Sequence, residues 1–468
     1  MKLKKMVSVM VCAGMAASLA ACGGSGSGGS TTAAQSGETS ADTQAADTPA
    51  ADEGADAAAS GEGAAITLWT YPIGSWGNSE VVNSIVSKFN EANPDIAVSV
   101  EYLDYTSGDD QVTAAIEAGT TPDIIMEGPE RLVSNWGAAG KMVDLKDLWD
   151  DEALEDISAV SEAVVNACKS SDGVFYEYPL CMNAHCMAIN YEVFEQAGAL
   201  QYIDQETRTW TTEDFGKALQ ALKDNGVATT GVVYCGGQGG DQGTRALAKN
   251  LYSAQFTNDD HTEWTMNSEN GIKGLQQLVD WCNDGLLSYD AGAVASDELQ
   301  LFANGTIAMT FCWNASNQAN YASQVSFTPY AVAFPSDDGT PELEGGIYGF
   351  GIFDNGDAAK IEAAKKFIEF VCDDETQGPV SVTEAGFFPV RASFGNVYEG
   401  AENEETMSAF NSLMQYLGDY YNVTPGWTEQ RTAWWNMLQG IFGGNDVTET
   451  VNSYVDTCNA ATQAAMGQ

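Results

Sequence analysis

Apolar residues recur along the chain in two alternating rhythms. Ala65–Tyr71 reads AITLWTY, a short β-rich apolar run that predicts a buried strand. In Asn78–Asn90, Val81, Val82, Ile85, Val86 and Phe89 fall at helical spacing, and Pro94 stops that helix. Ile96–Leu103 predicts a second strand, Val112–Ala118 a short helix, and Pro122–Met126 a third strand. The order β-α-β-α-β implies a parallel sheet covered by helices. Further helices are predicted at Thr212–Asn225 behind a Thr cap, Asn267–Gly285, Ala358–Cys372 and Val447–Ala461. No repeat with a period of 20–50 residues is evident. About 400 residues exceed one comfortable core, so two α/β lobes are expected.

Ahead of Ala65 the pattern is different. Met1–Lys5 is basic and Met6–Leu19 is apolar, but too short and alanine-rich for a membrane span. The run ends Leu19-Ala20-Ala21-Cys22, followed by Gly23, Gly24 and Ser25. This resembles the bacterial lipobox, which implies a signal peptide over residues 1–21 and lipidation of Cys22. The alternative is an ordinary secretory signal with a chance cysteine. Several acyl chains on one residue anchor better than the single chain that binds only marginally. Residues 23–64 hold no aromatic residue and no Leu, Ile, Val, Phe or Met, so they cannot offset their ordering entropy by burial. Residues 22–64 are read as a disordered, lipid-anchored tether, with the folded domain over 65–468. Such a chain would sit on the outer face of a bacterial cell membrane, on the periplasmic side where an outer membrane exists.

Charge narrows the partners. The 468 residues carry 66 Asp+Glu against 19 Lys+Arg, a formal net charge of −47, with two histidines. Beyond residue 21 the balance is −50, and residues 65–468 alone carry −43. Nucleic acid and anionic lipid headgroups are excluded as electrostatic partners, because both need Lys and Arg. Two histidines argue against a His-rich metal site or a His-dependent hydrolase.

The segments also follow a family order. Thr67-Leu68-Trp69 precedes a helix ending Phe89-Asn90-Glu91-Ala92-Asn93-Pro94, then Gly119-Thr120-Thr121-Pro122-Asp123-Ile124-Ile125 and Tyr178-Pro179-Leu180 through Asn190. Trp210-Thr211-Thr212-Glu213-Asp214-Phe215 follows, then Phe302–Met309 leading into Trp313, Gly345-Gly346, and Gly386–Arg391. This order, from about residue 66 to the C-terminus, resembles the extracellular solute-binding proteins of ABC importers, in the sugar-binding branch that includes maltose-binding protein. The resemblance implies an α/β, two-lobed periplasmic-binding-protein-like (type II) fold with a ligand cleft between the lobes. It places the first lobe at about 65–180 and 347–378, the second at about 181–346 and 379–468. The implied role is non-enzymatic: capture of a carbohydrate, with an oligosaccharide expected, by a monomer that closes and meets the transmembrane subunits of a permease. No cofactor or metal is implied.

Candidate ligand contacts follow from strand ends and from the resemblance. Pro122–Ile125 would deliver Glu127, Glu130 and Arg131 just past a strand end. The family carries an aromatic residue where Glu127 stands. Glu127 and Glu130 could also form a solvated loop face with a local ion pair. Tyr71 and Trp76 flank the first strand end, whereas Trp69 lies inside it. The resemblance adds Asn183 as a polar sugar contact, Trp313 beside Asn314 as an aromatic platform, and Tyr348 and Arg391. Trp434 and Trp435 are adjacent in a helix and cannot share a face, so one packs and the other faces the cleft; the resemblance favours Trp435. Indole faces suit sugars, whose axial C–H face is apolar and whose edge hydroxyls need hydrogen bonds.

Eight cysteines follow Cys22, at 168, 181, 186, 235, 282, 312, 372 and 458. An exported chain with an even count could form four disulfides, and buried free thiols fit as well. Cys181, His185 and Cys186 lack a fourth metal ligand. Gly236–Gly240 fits neither dinucleotide nor phosphate-loop spacing and reads as a surface loop. Two other functions remain open: the same fold binding a cationic solute such as a polyamine, and a surface glycoside hydrolase using Glu127 and Glu130 as paired carboxylates. Residues three apart on one short loop are poorly placed to straddle a glycosidic bond.

Overall fold

The computed structural model describes residues 63–105, 107–236 and 242–467. The signal segment, nearly all of the tether and most of Gly236–Gly240 lie outside the described residues. Among the described residues eleven strands occur in chain order: β1 (Ala64–Thr70), β2 (Ile96–Tyr102), β3 (Ile124–Glu127), β4 (Tyr178–Ala184), β5 (Cys186–Asn190), β6 (Val232–Tyr234), β7 (Ser288–Asp290), β8 (Met309–Trp313), β9 (Pro329–Val332), β10 (Gly345–Ile352) and β11 (Phe388–Pro389).

The expected parallel unit is present. β2 and β3 flank β1, with Ala64 opposite Ile96 and Leu68 opposite Ile124. In β1, Ile66, Leu68 and Thr70 are buried on one face, whereas all four residues of β3 are buried, as a strand covered on both sides requires. Between β1 and β2 lies the helix Ser79–Ala92. Asn78 caps it by accepting from Glu80 N at 2.9 Å, and Val82, Ile85, Val86 and Phe89 face the sheet. The helix Ala358–Cys372, capped by Asp357, covers the same face, with Phe367 edge-on to Phe89 at 5.1 Å. The full sheet runs β11-β4-β10-β3-β1-β2, with β10 antiparallel to both neighbours. A second sheet, β8-β5-β9, is antiparallel, and β6 and β7 form a small parallel pair. The two sheets define the two lobes.

The segment Tyr178–Asn190 is extended but breaks at His185. β4 ends in the six-stranded sheet and β5 begins in the three-stranded one. The His185 amide donates to the Glu344 carbonyl at 2.8 Å, so the outgoing crossing lies beside the one that returns into β10. Residues 181–184 belong with the first sheet, and β11 keeps the chain there beyond residue 378, because Phe388 pairs with Met182 and Pro389 with Cys181. No disulfide joins the eight cysteines; seven are buried and Cys282 is half-buried. Burial raises the thiols of Cys235 and Cys282 to about 12, which keeps these two protonated. Among the described residues, no helix is long and apolar enough to cross a membrane.

Candidate functional site

Parallel strands present their carboxyl ends together, and three such ends meet here. Tyr71 follows β1, Tyr105 follows β2, and Glu127 closes β3. Glu127 is 1% exposed. Its Oε1 accepts from Arg131 Nη1 at 2.9 Å and its Oε2 from the Gly128 amide at 2.6 Å. The rest of the Arg131 fork, Nε and Nη2, donates to Asp109 at 2.8 and 3.1 Å. Asp109 comes from the first turn of the helix Gly108–Ala118 and also accepts from the Tyr71 hydroxyl at 2.6 Å. Tyr71 and Tyr105 stack at 5.1 Å, and the guanidinium lies 5.2 and 5.6 Å from the two ring centres. The expected ion pair at Glu127 is thus buried and built into a network, not a solvated loop face.

Glycine makes the close approaches possible. A Cβ on Gly128 would lie 2.7 Å from Glu130 Oε2 and 3.0 Å from the Ile347 carbonyl. Pro129 then opens the turn Pro129–Arg131, and residues Leu132–Gly137 widen into a π-helical turn that sets the direction of Glu130 and Arg131. Glu130 Oε2 accepts from the Tyr420 hydroxyl at 2.7 Å. Tyr420 adjoins Tyr421, whose ring stacks on Phe256 at 4.5 Å in the second lobe, so this bond joins the lobes.

Carboxylates outnumber cations here. Burial raises Glu127 to about 7; the Arg131 charge opposes this and the Glu130 charge adds to it. Glu177, just ahead of β4, is 0% exposed, and neither of its oxygens has a hydrogen-bond partner. Burial, with the charges of Glu130 and Glu127, pushes it well above the usual carboxylate range. Burial would raise Asp109 too, but the hydrogen bonds and charge of Arg131, the Tyr71 hydroxyl and the charge of Arg431 hold it below that range. Arg431, from the helix Trp427–Phe442, lies 6.0 Å from the ring centre of Trp435. Trp435 is half-buried, and its Nε1 has no hydrogen-bond partner. Among the described residues, no group of three or more His, Cys, Asp and Glu is placed to hold a metal ion.

Of the sequence candidates, Tyr71, Glu127, Glu130 and Tyr348 come together. Tyr348 stacks on Phe387 at 5.5 Å, and burial together with the charges of Glu127 and Glu130 raises its hydroxyl. Five candidates are engaged in packing or in other bonds, among them Trp434, the member of the Trp434–Trp435 pair that packs. Trp313 is 0% exposed, edge-on to Phe302 at 5.3 Å, with Nε1 on Gln318 at 3.1 Å; no ring face is open for stacking. Asn314 spends its side chain capping the helix Ala315–Tyr321, accepting from Asn317 N at 2.8 Å. Trp76 is buried edge-on against Phe350, and Trp434 is buried against Phe256 and Tyr454 with Nε1 on Thr244 at 3.2 Å. Arg391 is engaged elsewhere, ion-paired to Asp373 and Asp156 and bonded to Tyr178, beneath a depression of about 880 Å³ rimmed by acids. Asn183 is buried on β4 opposite Gly346, with Oδ1 unpartnered.

Sequence reasoning missed Tyr105, Asp109, Glu177 and Tyr420. A signal existed for Tyr105: it follows β2 as Tyr71 follows β1. The residue is 48% exposed, yet burial of its hydroxyl, the charge of Glu127 and the nearby Tyr348 raise it well above the usual tyrosine value. An open ring above a carboxylate network is the arrangement a stacking ligand needs.

Known proteins place this architecture. The family model described as bacterial extracellular solute-binding protein matches residues 74–378. No curated protein matches the sequence. In fold, the chain is similar to the ABC substrate-binding protein Lmo0181 from Listeria monocytogenes in complex with cycloalternan, with 20% identity and TM-score 0.64 over 86% of this chain and 99% of that one. It is likewise similar to the cyclic alpha-maltosyl-1,6-maltose binding protein from Arthrobacter globiformis, with 20% identity and TM-score 0.69 over 86% and 100%. The sugar-binding protein MalE from Xanthomonas citri matches with 15% identity and TM-score 0.68 over 86% and 98%. The family match spans more than half of the 468 residues and coincides with a two-lobed fold whose strand ends converge on one cluster: the chain belongs to the bacterial extracellular solute-binding proteins.

Proposed function

We propose that this protein captures a carbohydrate outside the cell, closes its lobes around it and presents it to the transmembrane subunits of an ABC permease. One observation carries the reading: the open ring of Tyr105, backed by Tyr71 and Arg131 and edged by Glu127 and Glu130. A pyranose stacks its apolar face on such a ring and turns its hydroxyls to the rim. Trp435, with its unpartnered indole N–H, is the matching contact from the second lobe. Closure is a population shift driven by contacts made with both lobes. The three solved relatives named above, each described with a sugar or as sugar-binding, support this class of ligand. The chain acts as a non-catalytic monomer, tethered to the membrane through a lipid on Cys22.

The carboxylate surplus favours a second reading, a polyamine in the same cleft. Calorimetric titration with saccharide and polyamine panels separates the two. Heat with a saccharide, lost in Tyr105→Ala and Trp435→Ala, supports the first. Binding of a polyamine with no saccharide response establishes the second. Release of reducing ends from an oligosaccharide would make the chain an enzyme. Cys22→Ser is expected to free the protein into the medium; retention on membranes removes the lipid anchor from the account.

A further inference from the structure

In the second lobe, the helices Thr212–Asp224 and Glu269–Asn283 flank a cavity of about 390 Å³, a size typical of small-ligand pockets. None of its lining residues belongs to the cluster around Tyr105 and Glu127. Trp281 lines it, 7% exposed, with Phe215 edge-on at 5.3 Å. A buried indole usually gives its N–H to an acceptor. Among the described residues, that of Trp281 forms no hydrogen bond.

Gly216 keeps this edge of the indole uncovered. A Cβ there would lie 3.6 Å from Cζ2 of Trp281 and 3.8 Å from its Nε1, so a side chain would close over the N–H. Packing does not demand the glycine, since these are ordinary contact distances. On the facing helix, by contrast, a Cβ on Gly274 would strike the Ala248 carbonyl. A glycine inside a helix costs stability relative to alanine, and here it leaves an indole edge open to a cavity. Gln277, one turn before Trp281, accepts from the Tyr252 hydroxyl through Oε1 at 2.9 Å, which leaves its amide NH₂ as a second free donor. Carboxylates stand at the rim. Asp337 accepts from the Ser253 hydroxyl, and Glu213 pairs with Lys217 at 2.8 Å.

We propose that this cavity is a second saccharide site, separate from the cleft, which holds a short sugar segment against Trp281 and Tyr252. It goes beyond the cleft reading and stands on its own residues. Free donors and carboxylate acceptors lie beside two aromatic rings. A sugar hydroxyl both accepts and donates, so it answers both sets, while the apolar face of the sugar covers aromatic carbon. An ammonium has no acceptor for the indole or the amide, and Lys273 already holds the cation position on Tyr252, 3.7 Å from the ring centre. An anion would meet Glu213 and Asp337.

Nuclear magnetic resonance of the whole protein, with isotope-labelled indole nitrogens, tests the site directly. Trp281→Phe identifies the Trp281 signal. Maltotriose, cellotriose and xylotriose are the probes, with tetramethylammonium alongside. At least one triose is expected to shift the Trp281 signal saturably, and to do so equally in Tyr105→Ala, which disables the cleft. Gly216→Leu and Gln277→Ala should each weaken that response about tenfold without lowering the melting temperature. Should Gly216→Leu disturb the fold, Gln277→Ala, at a half-buried position, supplies the reading. A Trp281 signal that no triose moves would overturn the proposal, and saccharide heat in calorimetry would then leave the cleft reading standing. A shift that vanishes in Tyr105→Ala would report closure of the cleft and overturn it as well. So would a response to tetramethylammonium alone, which would mark a cation cage.

Discussion

An indole or phenol ring can stack on a sugar only where one face is open, and this decides which aromatic residues can serve. Trp313 gives its faces to Phe302 and neighbouring side chains, so Trp313→Ala is expected to empty a core site and cost about 3–5 kcal/mol, read as a fall in thermal or urea unfolding midpoint. Tyr105 is half exposed and leans on Tyr71. Tyr105→Ala should leave the melting temperature within a few degrees yet weaken ligand binding at least tenfold, about 1.4 kcal/mol. A large loss of stability with unchanged binding would show that Tyr105 is structural. Both residues are aromatic and both lie at or just past a strand end. What separates them is whether a helix covers the ring, and no local pattern records that.

Strands and helices place the cluster through a few buried polar joints. Asp123, at the entrance to β3, accepts from the Thr67 amide of β1 at 2.8 Å, from the side chain of Asn355, and from Lys360 at 3.2 Å in the helix Ala358–Cys372. Asp123→Ala leaves these donors without their acceptor and is expected to cost about 3 kcal/mol, measured by urea unfolding. Across the lobes, Tyr420→Phe removes a bond worth about 1 kcal/mol from the contact seen here. The ligand-free variant should favour the open form about fivefold more, visible as a larger radius of gyration in small-angle scattering; an unchanged radius would show that other contacts hold the lobes. The helices at Thr212–Asp224 and Ala358–Cys372 were legible nearly to the residue, because cap, periodicity and stop lie within one short window. The break at His185 was not, since β4 and β5 read as one apolar run and part company only because their pairing strands belong to different sheets.

Over the whole molecule, charge and buried acids act together. Burial raises Glu298 to about 8, against the hydrogen bonds from Thr310 and Phe311, and Glu127 to about 7. These groups bind protons in the folded state that the unfolded chain releases above its ordinary carboxylate value, roughly 4. Their contribution is therefore complete below that value and is lost as pH rises through about 7 and 8. The net charge of −47 adds self-repulsion in the same direction. Stability should peak near about pH 5, because carboxylates held low, such as Asp109, lose their advantage at lower pH. The melting temperature is expected to fall by roughly 5 °C between pH 5 and pH 8, with added salt recovering part of it; a flat or rising profile would refute this account. The sequence by itself determined the order of strands and helices, the acidity and the family, because periodicity, caps and composition are local or additive. Only the tertiary structure decided which aromatic rings stay open and which carboxylates share a site. Tyr71, Tyr105, Glu127, Glu130 and Tyr420 meet there from distant parts of the chain, so their burial and charge depend on neighbours that no window of sequence contains.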